Sequence, residues 1–148
     1  MIESLVMKSQ PEILRDRTKK FAIGIVKLVR IFPRNQESNI LGKQLMRSAT
    51  SVAANYRAVC RARSKAEFIA KIGIVVEEAD ETMFWLEMIT ELNILSKEKT
   101  NELLKEANEL LAIFSASNQT ARGRRKTGDV LSNSSSITKS QNGLISQL

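Results

Sequence analysis

The chain contains no histidine among its 148 residues. That absence excludes a Ser-His-Asp triad, a histidine general base and histidine-ligated metals. The sequence also has no glycine-rich phosphate loop, no nucleophile elbow and no paired acid and base with a plausible reaction centre. We therefore predict that the protein is not an enzyme and needs no cofactor.

Cysteine is almost absent too, since Cys60 is the single one. One thiol cannot form an internal disulfide, and no secretory hydrophobic region is recognisable at the start, so we expect a cytoplasmic protein. Without a histidine to activate it, Cys60 is predicted to be a small buried apolar residue. No apolar run approaches the roughly 18 residues of a membrane span, so no membrane partner is expected.

Helix-breaking and aromatic residues are also scarce. The chain has two prolines, six glycines and 5% aromatic residues. Few breakers permit long helices, and few aromatics argue against a β-sandwich or barrel. The length suffices for one domain with a real core but is short for two. These features favour a single all-α domain.

Apolar residues recur at helical spacing in four segments. The first starts at a capping box, Ser9 to Glu12, and ends before Pro33. The third starts at a second capping box, Ser64 to Glu67. Short polar connections between helices force antiparallel neighbours, so we predict an up-down-up-down four-helix bundle. The remaining predicted bounds are about 39–63 for the second helix, an end near 93 for the third, and 97–117 for the fourth.

Beyond Ser117 the periodicity fails. The segment contains the basic cluster Arg122–Lys126 and runs of serine and asparagine. Such a composition buries too little apolar surface to offset the entropy of ordering. We predict a bundle domain over 1–118 and a disordered polar tail over 119–148, whose basic cluster is either a polyanion-binding arm or a solubilising segment.

The third helix carries a wider apolar surface than it needs to pack against one neighbouring helix. Two adjacent stripes contribute to it: Ile72, Val76, Ala79, Met83, Leu86 and Ile89 form one, and Phe68, Val75, Phe84, Trp85, Met88 and Leu92 the other. A central helix or a subunit interface would explain this width. We expect a homo-oligomer.

Positive charge is concentrated in the first half of the chain. Residues 11–71 hold 14 Lys and Arg against 4 Asp and Glu, whereas residues 72–111 hold 3 against 10. The formal net charge is +7. Such asymmetry indicates either a polyanionic partner or oppositely charged faces that meet on assembly.

Three blocks of the second and third helices resemble a known family. They read LGKQLMRSATSVAANYR at 41–57, RARSKAEFIAK at 61–71, and EEADET followed by WLE within 77–87. In order and spacing they resemble the bacterial intervening-sequence proteins, four-helix bundles encoded by inserts within large-subunit ribosomal RNA genes. The resemblance covers about residues 12–120. Ala49 and Ala53 stand where many members carry glycine, and Ala58 stands near an acidic position of the family.

This resemblance implies an up-down bundle that assembles into a barrel-like homopentamer. The family is similar to the accessory variability protein of diversity-generating retroelements, which works with a reverse transcriptase and RNA. It therefore implies contact with nucleic acid and a reverse transcriptase or another protein as partner. Most members have no assigned activity.

The strongest candidate site is a basic set around the end of the second helix. Arginine can hold phosphate groups bidentately, and Arg57 and Arg61 are spaced to share a helical face. The plainer alternative is a solvated surface, partly paired with the acidic third helix. Tyr56 and Trp85 lie in apolar patterns, so base stacking is not expected and binding would be led by phosphates. The candidate residues are Arg47, Arg57, Arg61, Arg63, Lys65 and Lys71.

The acidic group of the third helix comprises Glu77, Glu78, Asp80 and Glu81. Di-metal bundles use Glu-x-x-His pairs from facing helices, which this chain lacks, so no metal is predicted. We expect Glu78 or Glu81 to pair with Arg47 or Arg57 instead. Six cations extend the positive charge along the first helix and are interpreted as spread around it: Arg15, Arg17, Lys19, Lys20, Lys27 and Arg30.

Two functions remain open. The first is a basic oligomeric accessory protein that binds RNA or DNA, with an affinity that falls steeply as salt rises. The second is an oligomeric scaffold that binds a protein partner, with its charges serving solubility and subunit pairing.

Overall fold

Four long α-helices make up the computed structural model, which describes residues 7–123. Their bounds are α1 Gln10–Arg30, α2 Gln36–Val59, α3 Lys65–Glu91 and α4 Lys97–Ala121. The predicted all-α up-down bundle is confirmed. Most of the predicted tail, residues 124–148, lies outside the described residues.

Helix α1 starts where the sequence indicates. The backbone N–H of Ser9 donates a hydrogen bond to Oε2 of Glu12 at 2.8 Å, as in a capping box. Pro11 occupies the first turn, where a missing N–H costs nothing. The helix ends at Arg30, two residues before the predicted end at Phe32, and Ile31 forms its C-cap.

Helix α2 is shifted toward the N-terminus relative to its predicted bounds of 39–63. The side chain of Asn35 accepts a hydrogen bond from the N–H of Ser38 at 2.8 Å, which caps the helix and lets it begin at Gln36. At the other end the helix stops at Val59, and Cys60 is the C-cap. Cys60 is exposed there, so its predicted burial is wrong.

Helices α3 and α4 both end at residues with positive φ. Asn93, directly after the C-cap of α3, has a φ of 54°. Gly123 follows the C-cap of α4 with a φ of 68°, and its N–H donates to the carbonyl of Thr120 at 3.1 Å. These are the left-handed C′ positions at which glycine and asparagine stop helices. Helix α4 thus extends four residues past its predicted end at Ser117, and its last turn includes residues 119–121 of the predicted tail.

Each helix packs against its neighbours in chain order, and α1 closes the ring with a lighter contact to α4. Helices α1 and α3 lie diagonally opposite each other in the bundle. The apolar faces meet in one core. Its buried members are Phe21, Ile25, Leu28, Leu41, Leu45, Ala49, Val52, Tyr56, Val59, Ile72, Val75, Ala79, Leu86, Ile89, Leu95, Ala107, Leu110 and Phe114.

Small residues bring α2 close to α3 at mid-height. Ser48 and Ala49 are fully buried there. The hydroxyl of Thr82 on α3 lies 3.0 Å from that of Ser48, and it also donates to the carbonyl of Glu78 at 2.7 Å. The buried hydroxyls are therefore hydrogen-bonded, as burial of polar groups requires.

Candidate functional site

An open polar groove lies where α2 ends and α3 begins. It has a volume of about 440 Å³ and a floor of Ala54 and Ala58. We call it the α2–α3 groove. Its charged lining consists of Arg57, Arg61, Arg63, Glu67 and Lys71.

Local backbone geometry brings these side chains together. Because α2 ends at Val59, Arg61 is not on the helix as predicted but in the following turn, where its N–H donates to the carbonyl of Ala58 at 3.1 Å. The side chain of Ser64 then accepts from the N–H of Glu67 at 3.0 Å and caps α3. Arg61 and Arg63 therefore occupy the tight connection between two helices and face the same groove as Arg57.

Glu67 does little to neutralise these cations. Its Oε2 accepts a hydrogen bond from the backbone N–H of Arg63 at 2.9 Å, and its Oε1 lies 3.9 Å from Nζ of Lys71. Within residues 7–123, no carboxylate lies within ion-pair distance of the guanidinium groups of Arg57, Arg61 or Arg63. The N-terminus of α3 adds the positive end of its helix dipole, so the groove favours an anion.

Arg47 belongs to a different environment from the other predicted site residues. Its guanidinium donates a hydrogen bond to Glu81 and lies 3.5 Å from a carboxylate oxygen of Glu78, both on α3. Hydrogen bonds from Arg47 and then from Trp85 lower the pKa of the Glu81 carboxyl. The sequence expectation that α3 carboxylates pair with Arg47 is therefore matched.

Lys65 also stands outside the α2–α3 groove. It is the exposed first residue of α3 and is not part of the lining. The structure thus unites Arg57, Arg61, Arg63 and Lys71, and separates Arg47 and Lys65 from them.

A second groove runs between α1 and α2, next to the first. We call this cavity of about 410 Å³ the α1–α2 groove. Its lining is mainly apolar, from Ala22, Ile23, Val26, Ala53 and Ala54, and its cations are Lys19, Lys27, Arg30 and Arg57. Arg57 and Ala54 line both grooves, which therefore form one continuous basic face.

Three of the six cations of α1 line this groove, whereas the others point elsewhere, so the six together are spread around the helix. Lys19, Ile23, Lys27 and Arg30 follow one another at spacings of four, four and three, which place them on one helical face. That spacing was the signal that could have identified them. Arg17 points elsewhere, since its guanidinium bonds Glu106 on α4 at 2.6 and 2.8 Å.

No aromatic residue lines either the α2–α3 groove or the α1–α2 groove. Tyr56 is buried against Phe114 with ring centroids 5.1 Å apart, and burial raises its pKa to about 12. Phe84, by contrast, is exposed, with 49% of its surface accessible. It lies on α3 between Asp80 and Glu87, where a phosphate backbone would be repelled.

Neither a metal-binding cluster nor a membrane-spanning helix is present within residues 7–123. Between residues 7 and 123, no group of three or more acidic or cysteine side chains is arranged to hold a metal ion. None of the four helices is long and apolar enough to cross a membrane.

Of the basic cluster Arg122–Lys126, only Arg122 and Gly123 are described, and Arg122 donates to the side chain of Asn118 at 2.9 Å.

Together, the fold and the grooves define a small α-helical bundle protein with one strongly basic face. A family model described as 23S rRNA-intervening sequence protein matches residues 13–116. The chain therefore belongs to the 23S rRNA-intervening sequence protein family.

A solved structure from Bacteroides thetaiotaomicron is similar to this chain. It is described as a protein of unknown function from the S23 ribosomal protein family. The two share 30% sequence identity with a TM-score of 0.67, over 72% of this chain and 98% of that one. A search of curated proteins finds no match.

Proposed function

We propose that the protein is a non-enzymatic, oligomeric accessory protein that binds the phosphate backbone of RNA or DNA through the α2–α3 groove. The observation that carries this proposal is the convergence of Arg57, Arg61, Arg63 and Lys71 on one open groove whose single lining carboxylate is Glu67. Guanidinium groups match the geometry of phosphate oxygens, and clustering them without counter-charges favours a polyanion.

Recognition in this groove is led by charge rather than by base identity. The lining offers guanidinium and ammonium groups above alanine, with no aromatic ring for a base to stack on. Backbone contacts position a protein on a nucleic acid but carry no sequence information directly. We therefore expect weak sequence selectivity and a strong dependence on salt.

A protein-binding scaffold is the second candidate function. It is favoured by the apolar floor of the α1–α2 groove and by the exposed ring of Phe84, neither of which helps to hold phosphates. Exposed apolar surface rimmed by polar groups is typical of protein–protein contacts.

Fluorescence-anisotropy titrations test the first function. A structured RNA, a duplex DNA and a single strand are each titrated with the full chain over a salt series. We expect log affinity to fall linearly with log salt, and the double variant Arg61→Ala/Arg63→Ala to bind at least about tenfold more weakly with a shallower slope. The matched control Lys99→Ala/Lys105→Ala removes the same charge from the exposed surface of α4.

The control separates a localised site from general charge attraction. Equal losses in both double variants would overturn the assignment to the α2–α3 groove. An absence of binding to all three probes near physiological salt would overturn the nucleic-acid function and leave the scaffold function as the better account.

A further inference from the structure

A third groove lies at the short connection between α1 and α2. It has a volume of about 310 Å³ and meets the α1–α2 groove at Arg30, which lines both. Its other cations are Arg34, in the connection, and Lys43, on α2. We call it the Phe32 groove, after the aromatic side chain in its wall. The basic face therefore extends along α2 to the end opposite the α2–α3 groove.

The cations of the Phe32 groove have no counter-charge beside them. Within residues 7–123, no carboxylate lies within ion-pair distance of Arg30, Arg34 or Lys43. The lining contains no acidic side chain, since Glu37 in the first turn of α2 is exposed and lies outside it. Three uncompensated cations around one small groove favour an anion that several donors can share.

The two helix ends at this groove have unequal effects. The positive end of the α2 dipole lies at the connection and adds to the attraction for an anion. The carbonyls at the end of α1 oppose it, but those of Leu28 and Val29 already accept hydrogen bonds from the N–H groups of Ile31 and Phe32, at 3.2 and 3.1 Å. The balance of backbone charge therefore also favours an anion.

A buried hydroxyl in the lining lacks a partner. Ser38 is 2% exposed and lines the Phe32 groove. Among the described residues, its Oγ has no hydrogen-bond partner. Native proteins rarely leave a buried polar group unpaired, because this costs free energy. An oxyanion seated on the floor of the groove gives the hydroxyl an acceptor, so Ser38 indicates an anionic ligand independently of the cations.

The wall beside these groups is aromatic. Phe32 is partly buried, and its ring lies against α2 at Gly42, where an added Cβ would come within 3.4 Å of Cδ2 of the ring. Pro33 and Met46 extend the apolar surface. A flat ligand group can pack against this wall while a phosphate attached to it reaches the cations.

We propose that the Phe32 groove binds a nucleoside phosphate. Arg34 and Lys43 hold the phosphate together with Arg30, Ser38 donates a hydrogen bond to one of its oxygens, and the base packs against Phe32. The volume of the groove is that of a small-ligand site. A free nucleotide and the phosphorylated end of a nucleic-acid strand carry this same chemistry, and the experiments below distinguish them.

This site is independent of the proposed function, because no residue lines both the Phe32 groove and the α2–α3 groove. A chain that binds a nucleotide but no RNA or DNA would contradict only the proposed function. A chain that binds RNA through Arg61 and Arg63, but neither a nucleotide nor a terminal phosphate, would contradict only this site.

Isothermal titration calorimetry of the full chain tests the site with two probes. We expect adenosine monophosphate to bind at one site per chain, and ribose 5-phosphate, which lacks the base, to bind about tenfold more weakly. Arg34→Ala/Lys43→Ala should weaken the binding of adenosine monophosphate at least about tenfold. The control Lys99→Ala/Lys105→Ala removes the same charge from the exposed surface of α4 and should leave this binding unchanged.

Two single substitutions separate a role in binding from a role in folding. Ser38→Ala removes an unpaired buried hydroxyl, so the chain should be at least as stable as wild type in urea, yet bind adenosine monophosphate about fivefold more weakly. Phe32→Leu keeps an apolar side chain against Gly42 but removes the ring. It should weaken the binding of adenosine monophosphate and leave that of ribose 5-phosphate unchanged.

Single strands that carry either a 5′-phosphate or a 5′-hydroxyl identify the source of the ligand. If the strand end is the ligand, the 5′-phosphate strand should bind at least about tenfold more tightly, and Arg34→Ala/Lys43→Ala should remove the difference. If the ligand is a free nucleotide, the two strands should bind alike. Three results would overturn the proposal: no binding of adenosine monophosphate together with no preference for the 5′-phosphate, equal losses in the groove variant and the α4 control, or ribose 5-phosphate binding as tightly as adenosine monophosphate.

Discussion

Two helical glycines should respond in opposite directions to the same substitution. Gly42 lies inside α2 and is buried, and a Cβ added to it would meet Cγ1 of Val29 at 2.9 Å and Cδ2 of Phe32 at 3.4 Å. Gly73 lies inside α3, and its added Cβ would meet only the Nη2 of Arg122, at an ordinary 3.6 Å. The first glycine is needed for the approach of α1 to α2, whereas the second is not.

The expected magnitudes follow from two competing effects. Alanine is favoured over glycine within a helix by about 1 kcal/mol. At Gly73 nothing opposes this gain, so Gly73→Ala should raise the free energy of unfolding by about that amount. At Gly42 overpacking costs roughly 1–3 kcal/mol, and Val29 cannot easily rotate away because a β-branched side chain in a helix has one favoured rotamer. The net result for Gly42→Ala should be a loss of about 1 kcal/mol.

Gly24 provides an intermediate case. Its added Cβ would lie 3.2 Å from Cδ2 of Leu103, the flexible end of a side chain on α4. Leu103 is only partly buried and can move by a few tenths of an ångström. The gain in helix propensity and the cost of this displacement are similar, so Gly24→Ala should be nearly neutral.

Urea unfolding followed by circular dichroism at 222 nm measures all three variants. Protein concentration is held constant, because assembly would add to the apparent stability. The expected order of stability is Gly73→Ala, then wild type and Gly24→Ala, then Gly42→Ala. A Gly42→Ala chain as stable as Gly73→Ala would refute the close contact of Val29 with α2 and with it the described packing of the first two helices.

The remaining predictions concern ion pairs between helices. Hydrogen bonds from Arg47 and Trp85 lower the pKa of the Glu81 carboxyl in the folded protein below its ordinary value of 4.5. The ionised Glu81 therefore stabilises the fold at pH values above 4.5, and this stabilisation is lost as the pH falls through the pKa of the folded state. Trp85 is the single tryptophan and donates a hydrogen bond to Glu81, so its fluorescence emission should change with a midpoint below pH 4.5. Arg47→Ala should move that midpoint upward. An unmoved midpoint would disprove that Arg47 lowers the pKa of Glu81. Arg17→Met removes the two hydrogen bonds to Glu106 and should lower the free energy of unfolding, measured in urea, by about 1 kcal/mol. The loss should be smaller at high salt, because salt screens the ion pair. An unchanged free energy of unfolding at low salt would show that this ion pair between α1 and α4 does not stabilise the fold.

Local sequence signals predicted the elements but misplaced several ends. The capping serines at positions 9 and 64 were recognised, because their partners lie three residues along the chain. The cap at Asn35 lies within a polar connection and carries no apolar signal, and the predicted second helix runs to Arg63 although α2 ends at Val59. Basic residues are compatible with both a last helical turn and a following loop, so the pattern alone could not separate them.

The candidate site was predicted in part. Arg57, Arg61, Arg63 and Lys71 are close in sequence, so the connection between two helices suffices to bring them together. The sequence places Lys19, Lys27 and Arg30 on one face of α1, but only the packing of α1 against α2 brings Arg57 and the apolar residues of the α1–α2 groove beside them. Arg47 was assigned to the site on proximity in sequence, yet it faces Glu78 and Glu81 instead.

By itself, the sequence determined the all-α class, the number and order of the helices and their antiparallel course, because hydrophobic periodicity, caps and short connections are local properties of the chain. Only the tertiary structure decided which exposed side chains share a surface. The direction in which a helix presents a given residue depends on how the whole core packs, since each helix is rotated to bury its own apolar stripe. The two basic grooves are products of that packing.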